Sequence, residues 1–295
     1  VTAEGIPGLA ETWEINDDGT IYTFHLRETT WSDGTPITAH TVRNSWLRIL
    51  DPGTVSPYAW FPAMFIKGAE AFSTGEAGPE AVAIEAIDNY TFRVEFIRRF
   101  PYVENLLPHF AFAVVPIHAI AAYGDEWTKP ENFVGNGPFV PEDRAPDGRT
   151  TAAVNNRYWD KESVRLQRVV FLPVADKLHA YTQYENDKAD WLTAVPSEKY
   201  EEASARDDFH ISPHLATYYY VIQNKRGAFS DSRVRKALSM AIDRESLVDE
   251  ITGKGEIPTG SIVPPMSGYP CIPGNRFDKD RAQALLEEAG YPHGE

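Results

Sequence analysis

Two periodicities take turns along this chain, and that alternation restricts it to layered folds in which helices pack on sheets. From Ile21 to Arg27, Tyr22, Phe24 and Leu26 alternate with Thr23, His25 and Arg27, the period of a half-buried strand that follows an Asp17-Asp18-Gly19 turn. Val42, Trp46, Ile49 and Leu50 then recur at helical spacing behind Thr38, an N-cap residue type, and Pro52 stops that helix. Val82–Ile87 and Tyr90–Phe96 read as a hairpin across a two-residue Asp88-Asn89 turn. Residues 104–123 read as helix in two pieces broken by Pro108 and Pro116. Strands are expected at Thr151–Val154, Leu166–Pro173 and Ala189–Leu192, with helices at Asp176–Asn186 and over 197–205. Tyr218–Ile222 is continuously apolar, the pattern of a strand buried on both faces. Ser230 or Asp231 opens a helix with Val234, Ala237, Leu238 and Ala241 on one face. Asp243 opens another, with Leu247, Val248 and Ile251 inside and Gly253 as the stop. Asp278–Ala289 ends the series, with Gly290 just beyond. Interleaving of this kind argues for α/β layers. The clearest breaks in pattern are Pro141–Arg149, read as a loop, and Gly253–Gly274.

Composition narrows the classes of function. A length of 295 residues suggests roughly two domains. With 28 basic and 43 acidic residues the net charge is −15, which disfavours nucleic acid and anionic lipid surfaces. No run of about 18 apolar residues occurs, so no helix is expected to span a membrane. Val1 to Gly5 carry neither the basic nor the apolar region of a secretion signal. The one cysteine, Cys271, excludes an internal disulfide framework and a multi-cysteine metal site. Seven Trp, 14 Tyr and 15 Phe supply a core and are also the residues that line adaptable clefts.

Motifs for chemistry are absent. No phosphate-cradling loop, dinucleotide fingerprint, zinc-protease helix, EF-hand loop or nucleophile elbow is present. Gly253-Lys254-Gly255 reads as a helix end. His210 and His214 have the spacing of a metal pair on a helix, but Pro213 stands between them, and two ordinary histidines are the better reading. Asp17-Asp18, Glu201-Glu202 and Asp207-Asp208 are adjacent in sequence, whereas catalytic carboxylates face each other across a cleft. Asn89-Tyr90-Thr91 matches a glycosylation sequon and reads as part of the hairpin turn. An enzyme reading survives only as a Trp-rich glycoside hydrolase.

An ordered series of segments carries more information. Gly8-Leu9-Ala10-Glu11-Thr12-Trp13-Glu14 is followed by Trp31-Ser32-Asp33-Gly34-Thr35-Pro36 and Thr38-Ala39-His40. Then come Gly135-Asn136-Gly137-Pro138-Phe139, Asn156-Arg157-Tyr158-Trp159-Asp160 and Asp231-Ser232-Arg233-Val234-Arg235-Lys236-Ala237-Leu238. Ala241-Ile242-Asp243-Arg244 and Leu285-Leu286-Glu287-Glu288-Ala289-Gly290-Tyr291 complete the series. In this order it resembles the bacterial extracytoplasmic solute-binding proteins of the oligopeptide- and dipeptide-binding family, family 5, which serve ABC importers. Ser56-Pro57-Tyr58-Ala59 and Thr217-Tyr218-Tyr219-Tyr220 lean toward the oligopeptide binders.

The resemblance implies an α/β, type II periplasmic-binding-protein fold with an inserted extra α+β domain, truncated at both ends. By analogy residues 1–117 form the extra domain, nearly complete, 118–215 part of lobe one, and 216–295 the start of lobe two. It implies an extracytoplasmic monomer, lipid-anchored outside the membrane in some relatives. This monomer takes a peptide between two closing lobes and hands it to membrane permease subunits, with no cofactor, catalytic residue or metal. Tyr58 matches a tyrosine that lies against the peptide. Thr193 and Ala194 fall where the family pairs its backbone with an extended peptide, and His214 and Tyr219 fall at tyrosine positions. Ala216 replaces a cysteine that is disulfide-bonded in some members. Other ligands taken by relatives, namely a nickel chelate, an oligosaccharide or an opine, are the alternative within this fold. Residues that hold the peptide termini would lie beyond Glu295, as would any partner for Cys271.

Overall fold

The computed structural model describes residues 5–212, 214, 216–264, 269 and 273–294. Cys271 and Pro213 lie outside the described residues. The chain divides into two compact units, Val1–Pro173 and Val174–Glu295. These are packing units; the expected bounds at 117 and 215 rest on the resemblance and answer a different question.

The first unit holds strands β1 (Ala10–Ile15), β2 (Ile21–Leu26), β3 (Thr29–Thr30) and β4 (Pro36–Ile37), then helices α1 (Ala39–Leu50), α2 (Trp60–Ala63) and α3 (Ala69–Ser73). Strands β5 (Ile84–Ala86) and β6 (Thr91–Glu95) follow, with helices α4 (Val103–Leu106) and α5 (Ile117–Tyr123). Strands β7 (Phe139–Arg144), β8 (Thr150–Val154) and β9 (Arg168–Phe171) end it. One antiparallel sheet runs β1-β2-β6-β5 and another β7-β8-β9. As the alternation predicts, Tyr22, Phe24 and Leu26 are buried, and β2 sets Tyr22 opposite Val94 and Phe24 opposite Phe92. Helix α1 covers this sheet. It buries Val42, Trp46 and Leu50, and Thr38 caps its start, the Thr38 amide donating to the Thr41 hydroxyl at 3.2 Å. Trp46 meets Phe92 and Phe112 edge-on at 5.0 and 5.1 Å, and its Nε1 donates to the Phe112 carbonyl at 2.9 Å. Gly68 enters α3 at φ +77°, and a Cβ there would stand 1.9 Å from the Ala81 carbonyl oxygen, so only glycine fits.

Two expectations change in this unit. The hairpin turn has three residues, because Ile87 pairs with Thr91, and the Asp88 carboxylate accepts from the Tyr90 and Thr91 amides at 2.7 Å. Pro141–Arg149 is not all loop, since β7 runs through Pro141. Proline is tolerated there because β7 is an edge strand that bulges between Pro141 and Asp143.

The second unit holds α6 (Lys177–Glu185), α7 (Tyr200–Ser204), α8 (Ser232–Ala241), α9 (Arg244–Ser246) and α10 (Lys279–Glu288). A π-helical turn, Leu247–Thr252, continues α9 and ends at Gly253 with φ +57°. Its buried cluster is small: Ala237 of α8 meets Ala282 and Leu285 of α10, flanked by Met240 and Leu286. Arg233 ties the two helices by donating to the Glu288 carbonyl at 2.6 Å.

Four expectations fail here. Ala189–Leu192 and Tyr218–Ile222 form no strand, and Tyr218 is 99% exposed. Leu238 and Ala241 of α8 lie outward. Leu247 and Ile251 are exposed rather than buried, although the start at Asp243 and the stop at Gly253 are as read. In each case the apolar residues are present but the surface that would cover them is not among the described residues. No helix among the described residues is long and apolar enough to cross a membrane.

Candidate functional site

The recurrent motifs of the first unit prove to be joinery. The Trp31 amide donates to the Thr35 carbonyl, and the Thr35 amide and hydroxyl both donate to Asp33, at 2.9 and 3.1 Å. Ser32 bridges to the glycine loop, its amide donating to Gly135 O at 2.9 Å and its hydroxyl accepting from Gly135 N at 3.2 Å. Buried Asn155 closes the same loop by donating to Gly137 O at 2.9 Å and accepting from the Arg157 amide at 3.0 Å. Asp33 also pairs with His118 of α5 at 2.8 Å. Burial pushes the Asp33 carboxyl upward, but the Thr35 and His118 hydrogen bonds outweigh it and hold it below the usual carboxylate range.

Beside this joint lies an open polar cleft of about 550 Å³, lined by Glu11, Arg27, Arg157 and Trp159 among others. Arg27 is fully engaged in holding it together: its guanidinium pairs with Glu11 at 2.8 Å, donates to Gly8 O at 2.8 Å and lies 4.0 Å from the Trp159 ring centre.

Tyr58 stands just before α2 in a partly exposed aromatic shelf. Its ring is stacked on Trp60 at 6.3 Å, meets Phe110 edge-on at 4.5 Å and lies 5.8 Å from His109. His109 is fixed in turn, its Nδ1 accepting from the Ala111 amide and its ring 4.2 Å from Phe61. Tyr58 is therefore held by neighbours while one side faces solvent. The sequence reading had no signal for the companions, because Trp60, His109 and Phe110 come together only in the fold.

Thr193, Ala194, His214 and Tyr219 all lie exposed in the second unit, Tyr219 at 57%. Among the described residues no hydrogen bond or ring contact joins them to one another. Thr193, Ala194 and Tyr219 lie in segments with free amides: no backbone N–H from Ala189 to Val195, nor from Thr217 to Ile222, donates a hydrogen bond among the described residues, whereas the His214 carbonyl accepts from the Ala216 amide at 2.8 Å. Such segments can accept another extended chain as a further strand. The first has fixed ends. Asp187 turns the chain at φ +55°, and the Lys254 ammonium donates to Val195 O at 3.1 Å. Sequence reasoning passed over Trp191 in this segment, which is 81% exposed. No group of three or more metal-ligating side chains occurs among the described residues, and His210 and His214 lie on no helix.

Comparison with known proteins gives a consistent result. The sequence model described as "Bacterial extracellular solute-binding proteins, family 5 Middle" matches residues 4–295. The periplasmic murein peptide-binding protein MppA of Escherichia coli (strain K12) is 35% identical over 299 residues, covering 98% of this chain and 55% of its own length. The periplasmic oligopeptide-binding protein OppA of Salmonella typhimurium is 34% identical over 297 residues, covering 97% and 54%. The crystal structure of OppAIV from Borrelia burgdorferi, a periplasmic oligopeptide-binding protein, matches with a TM-score of 0.89 at 37% identity. It covers 98% of this chain and 58% of that one. The chain thus spans about half the length of the curated relatives it matches.

Proposed function

Since this chain belongs to the bacterial extracellular solute-binding proteins of family 5, with the α/β fold of the OppA-type binding proteins, we propose that it forms part of a peptide receptor. That receptor would be the extracytoplasmic component of an ABC importer. The observation that carries this reading is the match over nearly the whole chain to proteins named for peptide binding. The amides of 189–195 and 217–222, which donate no hydrogen bond among the described residues, support it, because main-chain hydrogen bonds hold a peptide without reading its sequence.

In this reading Tyr58 lies against the ligand, Thr193 and Ala194 pair with its backbone, and His214 and Tyr219 line its path. Residues 1–117 are the extra domain, 118–215 belong to lobe one and 216–295 to lobe two. Closure of the lobes over the peptide creates the shape that the permease subunits recognise. The receptor works as a monomer, without a cofactor, and performs no chemistry.

Mass spectrometry of ligand released by denaturing freshly purified full-length protein tests this. A heterogeneous set of peptides is expected. Recovery of only a sugar, an opine or a nickel chelate would overturn the peptide reading, and turnover of glycans would overturn the binding-protein reading altogether.

A further inference from the structure

We propose that Trp191 is a specificity-determining residue: its indole reads one side chain of a peptide laid along Leu192–Val195, favouring aromatic and cationic side chains over acidic ones. This rests on the peptide-binding reading above.

Seven tryptophans occur in the chain, and six are engaged. Trp13 packs on Phe24, Trp31 lies near His118, and Trp46 is buried against Phe92. Trp60 meets Tyr58 and Phe61, Trp127 stacks on Phe133, and Trp159 is capped by Arg27. Trp191 alone has no ring, cation or hydrogen-bond partner among the described residues, and it is 81% exposed. An indole left in water forgoes the burial that normally stabilises it, and one clamped in place is a ready contact surface.

Its position supplies the clamp and the target. Trp191 is the third residue of the segment whose amides are free, between the Asp187 turn and the Lys254–Val195 hydrogen bond. Pro196, buried and without an N–H, ends the ledge. If a peptide adds here as a strand, side chains two apart share a face, so Trp191 and Thr193 stand on the same side. Thr193 is small and leaves room beside the indole, and a ligand side chain opposite Thr193 lies within diagonal reach of the ring. The π face attracts arenes and cations and repels carboxylates. A chain of net charge −15 biases the choice the same way.

Calorimetry on the full-length protein decides the matter, using alanine pentapeptides that carry one Lys, Phe or Glu at each position in turn. At one position the Lys and Phe peptides should bind about 5- to 10-fold tighter than the Glu peptide, the size of a cation–π or arene contact. Trp191→Ala should bring those ratios to within about twofold of unity, since the contact that separates the side chains is lost. Ratios that persist in Trp191→Ala overturn the assignment. A second readout is independent of that variant: binding of the Phe peptide should shift tryptophan emission in the unmodified protein but not in Trp191→Phe, and equal shifts in both overturn it. Should the unmodified protein bind none of the pentapeptides, the peptide reading falls and this inference with it. Binding without a role for Trp191 leaves the peptide reading standing.

Discussion

Trp46 concentrates much of what stabilises the first unit. Its ring lies between Phe92 of the sheet and Phe112, and its one polar atom is satisfied by a buried carbonyl. Trp46→Phe keeps an aromatic there but leaves the Phe112 carbonyl without that donor. A loss of about 1–3 kcal/mol is expected, the cost of an orphaned buried group, read as a lower urea midpoint for this unit. Asp231 makes a different kind of point. The Arg233 guanidinium and then the Arg233 amide hold its carboxyl at about 2. A folded pKa below the ordinary value of roughly 4 means that its contribution to stability is fully present above that value and fades as pH falls toward 2. A carboxyl carbon resonance assigned to Asp231 should therefore titrate near 2. Titration near the ordinary aspartate value would show that the pairing does not persist in solution.

Helices were readable element by element because their signals are local. Asp176, Asp231, Asp243 and Asp278 each accept from an amide in the first turn of the helix that follows; three of these starts follow from residue type and spacing, and at the fourth the choice between Ser230 and Asp231 falls to Asp231. Asp176→Ala should cost α6 about 1 kcal/mol, seen as faster amide exchange across 177–185. Strands were less readable, because a strand exists only with a neighbour. Ala189–Leu192 and Tyr218–Ile222 have the right residues and no neighbour among the described residues, while β7 was hidden by a proline that an edge position tolerates. The same physics limits the site. Tyr58, Thr193, Ala194, His214 and Tyr219 came from resemblance, and no local pattern marks a residue whose partner is a ligand. Trp191 did carry a signal, a large aromatic one residue before the end of an expected strand.

At the scale of the whole chain, order is unevenly spread. A single cluster from Tyr22 to Phe112 forms the core of the first unit, whereas the second relies on a few residues between α8 and α10. Brief chymotrypsin treatment should cut first at Tyr218, Tyr219 or Tyr220, which are exposed and whose amides donate no hydrogen bond among the described residues, and spare the buried aromatics of the first-unit cluster, such as Phe92 and Phe96. Peptide mapping of the first fragments checks this, and early cleavage at Phe92 or Phe96 would contradict it. The joint at Ser32 carries a further consequence. Its partner Gly135 lies 103 residues away, and Asn155 must arrive after that to lock Gly137. The turn from Trp31 to Thr35 closes on its own hydrogen bonds, but its joint to the glycine loop cannot form until Ser32 meets Gly135. Closing so long a span is slow compared with forming a helix. The first unit can therefore hold its sheet and α1 before its two ends of sequence are latched together, so the latch is the last part of it to form and the first to open.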